Sequence, residues 1–256
     1  MPALIDRAPA LQRALALACG LAAAAAFGAA APALAEPALD AWMPVDVGLA
    51  KRFVHRQDRN FSSGDMSFGT ERLVGTREDR VLPAPPEFPE ATAELRITTR
   101  TTSNESGEQV EMQQMFVSAT DSAYRVHAAK VEVDGATYLL RYPRPAMVLE
   151  ENARVGRKWH VSTENVAGLE GETWGEVVGP QDARTPAGLF EKCLVGRSTG
   201  TVSGTIEMPG AGPMDVTDGE VVVTEWHAKG IGLVLSKERL RETLHGEGGV
   251  ELVASI

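Results

Sequence analysis

The sequence predicts an all-β protein: a strongly curved antiparallel sheet, an open half-barrel or incomplete barrel, with little helix. Three observations carry this expectation. Apolar and polar residues alternate with period two through many short runs, as in half-buried strands. Clusters of Gly, Pro, Asn, Asp and Ser punctuate those runs at regular intervals, and amphipathic periodicity near 3.6 residues is almost absent.

The first 35 residues stand apart. Arg7 and Arg13 precede a long Ala/Leu run that ends in Ala33-Leu34-Ala35, followed by Glu36-Pro37, the layout of a cleaved secretory signal peptide. A retained membrane anchor is disfavoured because the run is mostly alanine and is interrupted by Gly20, Gly28 and Pro32. Lipidation at Cys19 is disfavoured because no Leu stands three residues before it, Arg13 is close, and the apolar run continues past it. The alanine-rich segment points to a bacterial periplasmic or secreted protein. Residues 36–256 then form a single β-rich domain.

Within it, residues 94–100 place Leu95, Ile97 and Thr99 on one face and charged or polar residues on the other. Residues 109–118 are the expected partner, across a turn at 103–107. Residues 124–133 and 136–142 make a second hairpin, because Asp134-Gly135 suits a tight type I′ turn. Further strands are expected at 52–57, 67–76, 158–163, 172–178, 189–197, 221–227, 230–240 and 250–255. The only invitations to helix are 39–49, broken by Pro44, and 236–245, which reads better as strand. Pro83 to Pro89 forms an extended loop, since proline cannot donate to a ladder. Residues 208–219, with Pro209-Gly210-Ala211-Gly212-Pro213, are expected to form a second, Gly/Pro-rich loop.

Charge narrows the functional classes. The whole chain carries a net charge of −10, and removal of the leader makes it −11, so nucleic acid and anionic lipid surfaces are unsuitable partners. No stretch after the leader is apolar and long enough for a transmembrane span. Cys193 is the only thiol left, in an alternating context that reads as a buried structural residue rather than a nucleophile. Val47-Gly48 before Phe53 and Val155-Gly156 before Trp159 echo one another, too briefly to establish a repeat.

Thr185-Pro186-Ala187-Gly188-Leu189-Phe190, with Cys193 after it, and the late Gly230-Ile231-Gly232-Leu233-Val234 resemble signature stretches of uncharacterised exported bacterial proteins. Trp159 after Val155-Gly156 fits the same group. The resemblance covers residues 155–256 and implies a fold similar to the half-barrel of periplasmic lipoprotein carriers, as an analogy of fold that carries no site.

The inventory of chemistry is thin. His55, His127, His160, His227 and His245 are scattered without metal-ligand spacing, and each reads as an ordinary strand or surface histidine. Asp215 to Glu220 lacks the acidic pattern of a calcium loop. Ser198 and Ser203 have no activating partner nearby in sequence. Trp42, Trp159, Trp174 and Trp226 read as core anchors. No catalytic or metal residue is assigned, no cofactor is expected, and ligand-binding residues are not identifiable. The resulting expectation is a non-enzymatic binding or carrier module for an apolar ligand or a lipoprotein-like envelope partner. The alternatives are a structural or docking element of the envelope and, behind it, a hydrolase with a dispersed triad.

Overall fold

The computed structural model describes residues 42–63, 66–105, 107–120, 123–133, 136–149, 155–166, 168–208, 212–246 and 250–255. Residues 1–41, which include the expected leader and Cys19, and the expected Asp134-Gly135 turn lie outside them. Among the described residues, twelve strands form one antiparallel sheet. They are β1 (Ala50–Ser63), β2 (Met66–Pro83), β3 (Ala93–Ser103), β4 (Gly107–Thr120), β5 (Ala123–Val133) and β6 (Ala136–Leu149), then β7 (Lys158–Val166), β8 (Leu169–Thr185), β9 (Gly188–Met208), β10 (Gly212–Ala228), β11 (Gly232–Gly246) and β12 (Val250–Ser255). Each expected strand is present, and most run longer than the alternation alone indicates. No helix occurs among the described residues; residues 42–49 are irregular and 236–245 lie within β11.

The order across the sheet is β6-β5-β4-β3-β2-β1-β12-β11-β10-β9-β8-β7. Each half of the chain is thus a six-strand meander, and the first and last strands meet in the middle. The outer edges, β6 and β7, lie side by side without a ladder. They are tied instead by the Trp159 indole, whose Nε1 donates to the Met147 carbonyl at 2.9 Å. The sheet is therefore an open barrel. Pro143 and Pro145 are tolerated in β6 because it is an edge, and its register to β5 jumps there, from Ala128↔Arg141 to Val126↔Ala146.

The echo between the halves has a structural counterpart. Gly48 and Gly156 both adopt positive φ, 97° and 78°, a region that glycine enters without steric cost. The Gly48 amide donates to Val81 O in β2, and the Gly156 amide donates to Val177 O in β8. The same Val-Gly turn thus introduces the first strand of each half. Trp159 then packs flat over Gly175 of β8, where a Cβ would lie 2.5 Å from the ring.

The main core fills the concave side, from Val81, Ile97, Met115 and Tyr124 to Trp159 and Val177, with Trp42, Met43, Val45 and Leu49 packed on it. The convex side carries two patches. In one, the Pro-rich loop folds back so that Phe88 stacks on Phe116, centroids 3.7 Å apart, with the Arg141 guanidinium 4.4 Å over the Phe88 ring. In the other, Cys193, Val195, Trp226 and Ala183 are buried together with Phe190 against them.

Two expectations change. The loop expected at 208–219 is confined by β9 ending at Met208 and β10 beginning at Gly212. Residues 214–216 pair with β9 and 214–217 with β11, and a bulge absorbs Asp218, whose φ is 53°. Proline is accommodated at Pro213 because it lies near the start of its strand. Trp174 is not a core anchor: it sits on the outer face of β8, 44% exposed, with its ring edge-on to His160.

Candidate functional site

The concave face encloses a cavity of about 250 Å³. Register explains its walls. Alternate residues of each strand point inward, and pairing stacks them in layers: Val81 with Leu95 and Met115, then Lys51 with Asp79, Ile97 and Gln113, then Arg77 with Thr99 and Glu111. From the other half, β10 contributes Val223, Glu225 and His227, and β11 contributes Leu233, Ser236 and Glu238. Residues 43–45 and Leu49 close the end where β1 begins.

The wall is amphiphilic. Its apolar part is Val81, Leu95, Ile97 and Met115, while charges cluster on β1, β2, β10 and β11, with Glu111 of β4 beside them. The Arg77 guanidinium grips Asp79 in a two-bond fork, Nε to Oδ1 at 2.7 Å and Nη2 to Oδ2 at 2.9 Å, geometry that gives a charge-assisted pair its strength. Burial opposes the Arg77 charge, but Asp79, with Glu225 and Glu238 beyond it, outweighs burial and raises the pKa. The Lys51 ammonium is held below its ordinary pKa by burial, which Asp79 partly offsets and Arg77 reinforces. Burial, with Arg77 and Arg59, likewise lowers the His55 pKa. The Tyr124 hydroxyl, buried and facing Glu225 and Asp79, is shifted upward and stays protonated.

His227 links the wall to the segment that closes the cavity. Its Nδ1 lies 3.3 Å from Trp42 O, and its Nε2 lies 3.3 Å from Glu225 Oε2. The two groups it meets, a carbonyl and a carboxylate, are both hydrogen-bond acceptors. This buried histidine–carboxylate pair corrects the reading of His227 as an ordinary strand histidine, and His55 too lines the cavity.

Above the cavity the interior stays polar. Arg59 Nη1 lies 3.4 Å from Glu71, and the Ser103 hydroxyl donates to the same carboxylate. Glu242 of β11 is different: it is 1% exposed, sits between the buried Leu240 and Leu244, and neither carboxylate oxygen has a hydrogen-bond partner among the described residues. Burial alone raises its pKa to about 8.

The remaining sequence candidates fall elsewhere. His127 meets Ser118 Oγ at 2.7 Å, His160 meets Thr163 at 3.0 Å, and His245 meets Thr217 at 3.0 Å, all away from the cavity. Ser198 is buried with its hydroxyl unpartnered, and Ser203 is exposed. Asp215 accepts from Thr205 at 2.7 Å within the β9–β10 ladder. Among the described residues no group of three or more His, Cys, Asp and Glu is arranged to hold a metal ion. Cys193 is buried, its Sγ 3.5 Å from Phe190 O, and burial raises its pKa.

The two motif stretches have structural roles. Pro186 and Ala187 make the two-residue turn between β8 and β9, with the Ala187 amide donating to Thr185 Oγ1 at 3.1 Å. Gly232 leaves room for Pro44 and Lys51: a Cβ there would come within 2.9 Å and 2.5 Å of them.

No protein-family model matches the chain, and no curated protein matches it. Among solved structures, the chain is similar to a putative lipoprotein from Parabacteroides distasonis at 14% identity and a TM-score of 0.30, over 83% of this chain and 94% of that one.

Proposed function

We propose that the protein is a non-enzymatic binding or carrier module of the bacterial cell envelope, exported by its leader, that holds an amphiphilic small molecule inside the open barrel. The observation that carries this reading is the cavity. Its apolar layer of Val81, Leu95 and Met115 suits a hydrocarbon part, and the charged layer beside it, with Lys51, Asp79, Glu225 and His227, suits a polar group. A purely apolar ligand would bury that charged layer against hydrocarbon, away from water. In the hydrolase alternative the Glu225–His227 pair would be the base, with ring nitrogens 3.3 Å from the Glu225 carboxylate and the Trp42 carbonyl. The docking alternative has one observation in its favour, the packing of Trp42, Met43 and Val45 into the open end.

The test is titration of the full chain with an environment-sensitive amphiphilic dye, with mass spectrometry of organic extracts of protein purified without detergent. Saturable binding that Val223→Trp abolishes by filling the cavity is expected, along with a co-purifying amphiphile. Absence of both would remove the carrier reading and favour the docking element. N-terminal sequencing of exported protein is expected to begin at Glu36; a start at Cys19 would instead indicate lipidation.

A further inference from the structure

β1 is fourteen residues long, yet on its β12 side it is paired only at Asn60, Phe61 and Ser62. β11 is paired with β12 only from Arg241 to Gly246. Residues 50–59 and 232–240 therefore border a slot that holds no strand among the described residues. Their other edges are in long ladders with β2 and β10. The slot is bounded at one end by Ser255 of β12 and at the other by Pro44 and Lys51, which crowd against Gly232. On its inner side the two rims supply cavity residues, His55 and Gln57 from β1 and Ser236 and Glu238 from β11.

Two ladder edges that border one slot present two rows of N–H and C=O groups without strand partners among the described residues, a template for strand addition. An extended segment seated there would meet both rows, whereas addition at an ordinary sheet edge meets one. The side chains set its composition. Residues facing inward from the rims look onto the partly apolar cavity. On the outer face stand exposed Arg52 and Arg56 of β1 and exposed Lys237, Arg239 and Arg241 of β11. Arg52 lies 3.6 Å from Glu78 and Arg239 lies 3.6 Å from Glu220, while Asp58 is matched by Arg72 at 2.9 Å. Arg56, Lys237 and Arg241 have no acidic partner among the described residues; Lys237 lies over the Trp226 ring at 5.5 Å. Two of these cations, Arg56 and Lys237, flank the slot on a chain of net charge −10, and Arg241 stands just past its end, opposite Ser255.

We propose that the slot between β1 and β11 takes an extended segment of another polypeptide as an added strand, with acidic side chains at the alternate positions facing outward and apolar ones facing the cavity. At about 3.4 Å per residue, the rim allows roughly seven to nine residues. The proposal does not depend on the carrier reading, because the strand would be held by backbone and outer-face charge rather than by the cavity's contents.

The test uses fluorescence anisotropy of the full chain with an end-capped eight-residue peptide alternating Glu and Val. Saturable binding is expected, weakened by salt and at least about tenfold weaker for the Lys/Val counterpart. N-methylation at alternate backbone positions, which removes ladder donors without changing charge, is expected to abolish it. Arg56→Glu and Lys237→Glu, both on the outer surface, are expected to weaken the acidic peptide about tenfold and leave amphiphilic-dye binding unchanged. Equal binding of the two peptides, indifference to N-methylation, or no saturation would overturn the proposal. So would dimerisation of the full chain that these substitutions abolish, which would assign the slot to a second copy.

Discussion

Replacing Glu242 by Gln should remove a pH-dependent penalty that the fold carries by itself. The side chain is 1% exposed between Leu240 and Leu244, without a hydrogen-bond partner among the described residues, and its pKa rises from 4.5 to about 8 for one reason, burial. The sign follows from linkage. Between those two values the unfolded chain has released this proton and the folded chain keeps it, so stability is fully present below pH 4.5 and is lost as pH rises through about 8. At about 1.4 kcal/mol per unit, the loss is on the order of 3–5 kcal/mol. For a domain of this size that corresponds to roughly 10 °C in Tm. The buried Gln amide remains unpartnered and costs about 1–3 kcal/mol at every pH, so the diagnostic quantity is the slope. Urea unfolding followed by near-ultraviolet dichroism, at several pH values from 5 to 8, should give a wild-type stability that falls relative to Glu242→Gln by about 1.4 kcal/mol per pH unit. A difference that stays flat across that range would refute the reasoning. Glu242→Leu should show the same slope and, above pH 7, exceed wild type in stability, since its neighbours are leucines.

Gly175→Ala should destabilise by about 1–3 kcal/mol, because the added methyl meets the Trp159 ring at 2.5 Å. A red-shifted tryptophan emission in the folded variant would report displacement of that ring. Asp79→Asn removes the carboxylate from the Arg77 fork and should cost on the order of 2–4 kcal/mol in chemical denaturation; it should also lower the Lys51 pKa further, since Asp79 is what opposes burial there. Faster acylation of Lys51 near neutral pH, read by mass spectrometry, checks the second effect. Cys193 should react with a thiol reagent only as fast as the protein opens, since it is buried and its pKa is raised.

Period-two alternation made the twelve strands legible, and β12 falls at 250–255 as expected. The underestimated lengths have a common cause: strands such as β2 and β9 carry charged or small residues inward near their ends, where alternation of apolar and polar side chains fades. The same substitution of charge for apolar bulk hid the cavity. Arg77 with Asp79 and Glu225 with His227 stand two apart on one strand, so each pair shares a face, and that spacing is visible in the sequence. What misled was the premise that a charged face looks outward. Glu242 between Leu240 and Leu244 was equally visible, as an acid on an apolar face. The slot was not legible, because it depends on where β12 stops against β1, a register between remote parts of the chain.

The meander also fixes an order of assembly. Every ladder but one joins strands adjacent in sequence, whether through short turns or the longer loop between β2 and β3, and such pairings close with little loss of chain entropy. The exception, Asn60 to Ser62 against Val253 to Ser255, joins the two ends of the described chain. It has the largest loop to close and few contacts to reward closure. Each half can therefore zip up on its own while β1 and β12 wait with bare edges, and the shared interior comes into being only when those edges find each other. During that interval the protein is most open to pairing with the wrong strand, so conditions that hold the ends apart should promote aggregation before they unravel either half.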